Sequence, residues 1–246
     1  MGLFDLPAPL FTALDNLMGG LPYYPRLLIW STLTAIISMA LYWLCSAQDK
    51  TAAAKERAAK ARKAMASYDG VEFGEMWPLA KESLTASAIH FGIVLGPAVV
   101  SSLPALAMIV WVSGTFGYNL PEAGTLLKAH SVTANQISIG QQAEYNVAYP
   151  ASNETKEIIA ANGELLATLP LQATVPVIHK RAWWNSLIGN PNGYLPDDYE
   201  NEAIYFDLPA IEFIAQGPGW VRGWEFSYFL LLIIISLGIK FAFRIH

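Results

Sequence analysis

One cysteine, Cys45, stands in the 246 residues, so no disulfide can form within a chain and no CxxC pair exists. Charge is also scarce: Asp, Glu, Lys and Arg make up 14% of the chain, against 54% hydrophobic residues. That balance excludes a soluble domain with an oily core and reads as an integral membrane protein. Enzyme motifs are missing. There is no HExxH, no GxSxG and no phosphate loop, and His90, His130, His179 and His246 are scattered without ligand spacing. No catalytic residue, metal site or cofactor is assigned, and a net charge of −5 leaves no nucleic-acid footprint.

What the chain does have is long runs without charge. Leu27 to Gln48 gives 22 such residues and Ser83 to Pro121 gives 39. Both exceed the roughly 20 residues that cross about 30 Å of hydrocarbon. The third run, Phe226 to Ile239, has 14 residues before Lys240 and reaches span length only by including Phe241, Phe243 and Ile245. Asp5 and Asp15 precede the first base, Arg26, a start unlike a cleaved secretory signal, so the first run is expected to stay as an anchor.

Between the first two runs lies a basic, alanine-rich arm. Lys50, Lys55, Arg57, Lys60, Arg62 and Lys63 face one acid, Glu56. The positive-inside bias puts this arm in the cytoplasm, the N-terminus and the segment after Tyr118 outside, and Lys240 and Arg244 inside. The outer segment agrees, with 11 acids against 5 bases from Gly117 to Trp224. The net charge therefore comes mainly from that segment.

The expected fold class is an α-helical membrane protein with three transmembrane spans, a short cytoplasmic helical arm, and a small mostly β extracytoplasmic domain inserted between spans two and three. The boundaries read as 1–48 for an outer interfacial segment and first span, 49–82 for the arm and turn, 83–117 for a kinked second span, 118–219 for the β domain and 220–246 for the third span and cytoplasmic end. Leu3, Phe4, Leu6, Leu10, Phe11, Leu14, Leu17 and Met18 fit a helix in the outer interface, or a hydrophobic lead-in to the span. Eight alanines in the sixteen residues Thr51 to Ala66 favour helix, an extension of the first span without the repeated apolar positions of a long coiled coil. Asp69-Gly70, Gly74 and Pro78 mark the returning turn.

Pro97 and Pro104 are expected to kink or divide the second run, and Gly92-xxx-Gly96 to serve as a packing surface within the monomer. In the outer segment, Ala143, Tyr145, Val147 and Tyr149 alternate with polar neighbours. Leu171 to Ile178 and Ala203 to Leu208 are strand-like, and Glu154 to Ala161 has helical character. Asn153-Glu154-Thr155 matches a glycosylation acceptor, a pattern short enough to arise by chance.

Polar residues within the spans carry the functional signal. Ser83, Ser87 and His90 share one helix face, and Ser31, Thr34 and Ser38 make a similar stripe on the first span. Interhelical hydrogen bonding explains such stripes, as does a polar groove wet from the cytoplasm. Lys240, ionisable near membrane depth, needs water, a partner or a snorkelling path. Outside the spans, Asp197, Asp198, Glu200 and Glu202 fit a solvated face or a cation site. Trp183, Trp184 and Tyr194 near Asn190-Pro191 fit packing or a binding surface.

The layout and two stretches of residues resemble the YidC/Oxa/Alb membrane insertase superfamily, in the branch of archaeal YidC-like proteins and the insertase subunit of the ER membrane protein complex. The first stretch is Ser102-Leu103-Pro104 followed by Ile109-Val110-Trp111 and Phe116-Gly117. The second runs from Gly219-Trp220-Val221 through Trp224, Tyr228-Phe229-Leu230 and Gly238-Ile239-Lys240. With Arg26-Leu27 opening the first span, the resemblance covers the membrane core. In that family a basic residue near the inner end of the third span lines a hydrophilic groove, and Lys240 falls at that position. A second base toward the inner end of the first span is absent here, where Tyr42 and Trp43 stand. The return limb of the arm is short, about Leu79 to Leu84, and the outer domain follows the second span instead of the first.

The resemblance implies an insertase or insertion chaperone of the bacterial inner membrane, not an enzyme. Its groove would be formed by Lys240, Ser83, Ser87 and His90 with Arg26, and its contacts to lipid or client by Lys55, Arg57, Lys60, Arg62 and Lys63. The implied partners are membrane lipids, nascent or client membrane proteins, and an envelope protein held through residues 118–219. The alternatives are a non-catalytic anchoring or docking subunit of an envelope complex, separable by deleting residues 120–215, and a channel or lipid-scrambling subunit, separable by ion flux.

Overall fold

The charge-free runs become helices. The computed structural model of the protein describes residues 1–70, 72–133, 144–150, 154–159 and 165–245. Among these residues are three helices long and apolar enough to cross a membrane: Tyr23–Cys45 (α2), Phe73–Phe116 (α4) and Trp224–Ala242 (α6). This is an integral membrane protein with a small β region between its second and third long helices. At about 1.5 Å per residue, the 23 residues of α2 reach about 35 Å, enough for the hydrocarbon core. The 19 residues of α6 barely suffice. That helix gains its length at its start, from Trp224 and Glu225, and stops at Ala242, so Phe243 and Ile245 are not part of it as expected.

The second long helix is one continuous element of 44 residues, with Pro78, Pro97 and Pro104 inside it. The prolines do not divide it. At about 66 Å it is about twice the hydrocarbon thickness, so one end must project beyond it. The return limb of the arm is therefore not a short piece from Leu79 but begins at Phe73, fused to the span. Near the inner prolines, Ser101 Oγ donates to Ala98 O at 3.0 Å and Ser102 Oγ to Val99 O at 2.8 Å, side chains bonding back along the helix.

The arm is helix α3, Gln48–Ala66. It is a separate element and not an extension of α2, because the ladder breaks before Gln48, where the backbone of Ala47 leaves helical geometry (φ −76, ψ 82). Thr51 closes the break: its hydroxyl donates to Ala47 O at 3.2 Å and lies 3.4 Å from Ser46 Oγ, and its side chain is fully buried. Beyond α3, Tyr68 OH donates to Glu72 O at 3.2 Å, which pins the returning turn. A Cβ at Gly70 would crowd the Tyr68 ring and push that side chain aside.

The N-terminal segment is helical: a 3-10 turn at Leu3–Asp5, then α1 at Ala8–Asn16. A single turn, α5 at Gly219–Arg222, precedes α6. Among the described residues of the β region, seven strands form two sheets. The larger, in order β2-β1-β7-β5-β6, uses Glu144–Ala148, Leu126–Thr133, Asn201–Phe206, Val177–Lys180 and Tyr194–Leu195; the smaller pairs Lys156–Ile159 (β3) with Leu165–Leu169 (β4). All pairings are antiparallel except β5 with β6. Leu127, Ala129, Ile178, Ile204, Phe206 and Leu208 form the centre of the core.

Two expectations fail in this region. Residues Lys156–Ile159 are a strand, not part of a helix, because Ile158 pairs with Ala167 and packs on the core. Of Leu171 to Ile178 only the end is strand. The alternation around Tyr145 does become β2, although Ala143 lies outside the described residues, as do Asn153 of the acceptor pattern and His246.

By contacts the chain forms two compact units, Met1–Leu28 with Ala107–Tyr228, and Ile29–Leu106 with Phe229–His246. The division runs through all three long helices.

Candidate functional site

The second unit collects most of the residues the sequence singled out. On α2 its covered side carries Trp30, Ser31, Thr34 and Ala35, all buried. Thr34 satisfies its hydroxyl on Trp30 O at 2.8 Å, the usual way a hydroxyl is made cheap in an apolar helix. Ser38, one turn on, does not. Its hydroxyl is covered and has no hydrogen-bond partner among the described residues.

The same unit holds the first half of α4. Ser83 and Ala86 are buried, and Ser87 and His90 half-buried, so the polar stripe lies along the covered face and away from the leucines and isoleucines around it. Lys240 is exposed in the last turn of α6 and forms no ion pair among the described residues. Lys240, Ser83, Ser87 and His90 thus fall in one unit.

Gly92 and Gly96 behave otherwise. Both are exposed, and a Cβ at either meets nothing within 4 Å. The GxxxG pattern is not a packing surface within the monomer, because the small residues that do the packing lie on the face of Ser83 and Ala86.

The arm's bases divide into two kinds. Arg57 reaches across to α4, its Nη2 and Nε donating to Glu82 Oε1 at 2.8 and 3.0 Å. Lys60 pairs with Glu56 at 2.7 Å, one turn apart. Their hydrogen bond and mutual attraction lower the Glu56 pKa and raise that of Lys60. Lys55, Arg62 and Lys63 are exposed and unpaired among the described residues. A crease of about 520 Å³ runs between α3 and the start of α4, lined by Ala53, Glu56, Arg57, Lys60, Ala64 and Glu82 among others.

Arg26 belongs to the other unit and is taken up there. Its guanidinium pairs with both oxygens of Asp15, Nε at 3.1 Å from Oδ1, and stands over the rings of Tyr23 and Phe116 at 5.3 and 5.4 Å. With Asp15 3% exposed, this cation holds α1 against the start of α2.

In the β region the asparagines near the tryptophans are structural. Asn192 Oδ1 accepts from Ala173 N at 2.9 Å while its Nδ2 donates to Ala173 O and Val175 O. Asn190 Nδ2 donates to Val177 O at 2.7 Å. Trp184 and Tyr194 both pack on His179, at 4.9 and 5.8 Å between ring centres. Glu202, from the acidic cluster, pairs with Lys180 at 3.0 Å, and no group of acids, histidines and cysteine among the described residues could hold a metal ion. The Asn192 clasp carried no sequence signal, since its partners lie 17 and 19 residues away.

Set against known proteins, the chain matches no family model, no curated protein and no solved structure.

Proposed function

We propose that this chain is a membrane protein insertase or insertion chaperone, with the arm in the cytoplasm and the β region on the opposite side. If each long helix crosses once, the arm end of the membrane holds Ser38 in α2, Ser83, Ser87 and His90 in α4, and Lys240 in α6. The observation that carries the reading is the Ser38 hydroxyl, without a hydrogen-bond partner among the described residues and in the same unit as the rest of this set. Leaving such a group unsatisfied costs about 1–3 kcal/mol, a cost that water or a client's polar backbone in a groove removes.

The physical need is clear. Each charged side chain at the bilayer centre carries a penalty of about 2.5–3.5 kcal/mol on the insertion scale. A groove open to cytoplasm and lipid keeps a client's polar segment hydrated while its apolar part moves sideways into the bilayer. The free cations Lys55, Arg62 and Lys63 supply attraction for acidic headgroups or the arriving client, about 1 kcal/mol each near the surface. No bond is made or broken, so the activity is not enzymatic.

The test is insertion of a reporter client into vesicles holding the purified protein. Lys240→Leu is expected to lower insertion several-fold, and photocrosslinkers at Ser87 to reach the nascent client. Undiminished insertion by Lys240→Leu, with no crosslink from Ser87, would remove the groove from the account.

A further inference from the structure

The N-terminal helix and the tryptophan loop of the β region form one uncharged apolar surface, and we infer that this surface is embedded in the headgroup–acyl boundary of the bilayer. Leu3, Leu6, Leu10, Leu14 and Leu17 recur at helical spacing and all point outward, Leu17 with 83% of its surface exposed. The opposite face carries Phe11 and Asp15, which are buried. A helix that turns its leucines away from its own protein has its polarity inverted for water and correct for lipid.

Three contacts fix the level of that helix. Asp15 is held by Arg26 in the first turns of α2, Phe11 packs edge-on to Trp111 at 5.8 Å, and Trp111 Nε1 donates to Thr12 Oγ1 at 2.9 Å. Trp111 lies five residues from the end of α4 at Phe116. Helix α1 is therefore tied near the start of α2 and the end of α4, where a crossing helix passes from hydrocarbon to headgroups.

The second half of the surface comes from the β region. A 3-10 turn, Trp183–Ser186, leaves Trp183 82% exposed, with Leu187 and Ile188 beside it. This turn is locked to the N-terminal segment: Phe4 N donates to Leu187 O at 2.9 Å, and Asp5 Oδ2 accepts from Gly2 N at 2.6 Å and Gly189 N at 2.7 Å. Backbone is in such close approach that a Cβ on Gly2 would fall 2.5 Å from Ile188 N.

Charge completes the argument. Residues 1–25 contain only Asp5 and Asp15, both turned inward onto partners, and residues 182–196 contain no charge at all. Water would find nothing ionic to solvate, and tryptophan is the residue that favours the interface. The occupant is therefore lipid, and the β region is held against the membrane by Trp183 and not only by its two chain connections.

The experiment uses the full chain with Cys45→Ala and single cysteines by Leu10→Cys, Leu17→Cys, Trp183→Cys or Asp198→Cys, each labelled with an environment-sensitive fluorophore. Vesicles of phosphatidylcholine and phosphatidylglycerol hold iodide on both faces or carry nitroxides on their acyl chains. Positions 10, 17 and 183 are expected to be quenched by the nitroxide lipid and several-fold less by iodide than position 198. If position 10 or 183 is as open to iodide as 198, the proposal fails. If it is shielded from iodide without quenching from lipid, a second copy or another protein covers the face, and the proposal fails equally. The unmutated chain gives an independent reading: a photoactivatable acyl chain is expected to label both residues 3–17 and 183–188, and absence of label from 183–188 overturns the joint surface.

Discussion

Asp15 and Arg26 form a two-point ion pair across the turn that joins α1 to the first long helix, and the same guanidinium lies over Tyr23 and Phe116. Both charges are largely withdrawn from solvent, at 4% and 15% side-chain exposure for Asp15 and Arg26. Removing one partner of such a pair costs about 3–5 kcal/mol, because the other is left buried and uncompensated. Arg26→Gln is expected to free α1, seen as faster hydrogen exchange over residues 8–16. The double change Asp15→Asn with Arg26→Gln should be milder than either single change. If the double variant is the worst of the three, the pair is not what holds the helix.

Glycine positions separate by what surrounds them. At Gly189 a Cβ would meet Asp5 Oδ2 at 2.7 Å and Gly2 N at 2.9 Å, and neither has room to move. Gly189→Ala is expected to cost about 1–3 kcal/mol and to loosen residues 2–6. Gly92→Ala and Gly96→Ala meet nothing and replace the poorer helix former, a gain of up to about 1 kcal/mol each. Thermal unfolding of the purified variants checks the sign at all three sites.

The contrast shows how far the sequence reaches. The long helices are legible because a bilayer imposes length and absence of charge on a contiguous run, and the covered face of Ser83, Ser87 and His90 is legible because polar residues stand out against it. The orientation of a weakly amphipathic helix is not legible, so Gly92 and Gly96 look like a packing motif until the covered face proves to be that of Ser83 and Ala86. Nor is the role of Arg26, whose partner lies eleven residues back across a turn of no fixed pattern. Glu154 to Ala161 looks helical by local composition, yet Lys156–Ile159 is a strand, because pairing with β4 decides the matter from outside the segment.

The arm's two ion pairs are exposed, and water screens such pairs so that they add little to stability. Glu82→Gln is therefore expected to leave global stability nearly unchanged while widening the distance between spin labels on α3 and the start of α4. The Glu56–Lys60 pair adds a pH dependence of defined sign. With the Glu56 pKa lowered and that of Lys60 raised, the contribution is complete between the ordinary ranges of the two side chains. It is lost as pH falls through the lowered Glu56 value, and again as pH rises through the raised Lys60 value. Arm helicity by circular dichroism should follow this at low salt and flatten at high salt.

Asn192 is expected to tolerate alanine better than aspartate. Alanine leaves Ala173 N, Ala173 O and Val175 O without their clasp, at about 1–3 kcal/mol if water does not replace it. Aspartate keeps the acceptor for Ala173 N but sets a carboxylate oxygen against the two carbonyls that the amide now bridges. Calorimetry ranking the variants Asn192, Asn192→Ala, Asn192→Asp in falling order supports the clasp; the reverse order of the two variants would refute it.

Tyr149 links the β core to alkaline pH. The residue is 5% exposed within the core, and burial raises its pKa above the ordinary tyrosine value, with the Leu171 backbone acting the other way. Below that ordinary value, about 10, the phenol is neutral folded or unfolded and contributes no pH dependence. As pH rises past it, the unfolded chain releases the proton first, so the unfolded state binds fewer protons and stability falls. The fall ends once the raised folded pKa is passed. Tyr149→Phe lacks this component, so the stability gap between the two proteins should be constant at neutral pH and move in favour of the variant through the alkaline range. Tyrosinate absorbance during the same titration gives the late-titrating phenol directly, and parallel stability curves would show that Tyr149 ionises as freely in the fold as outside it.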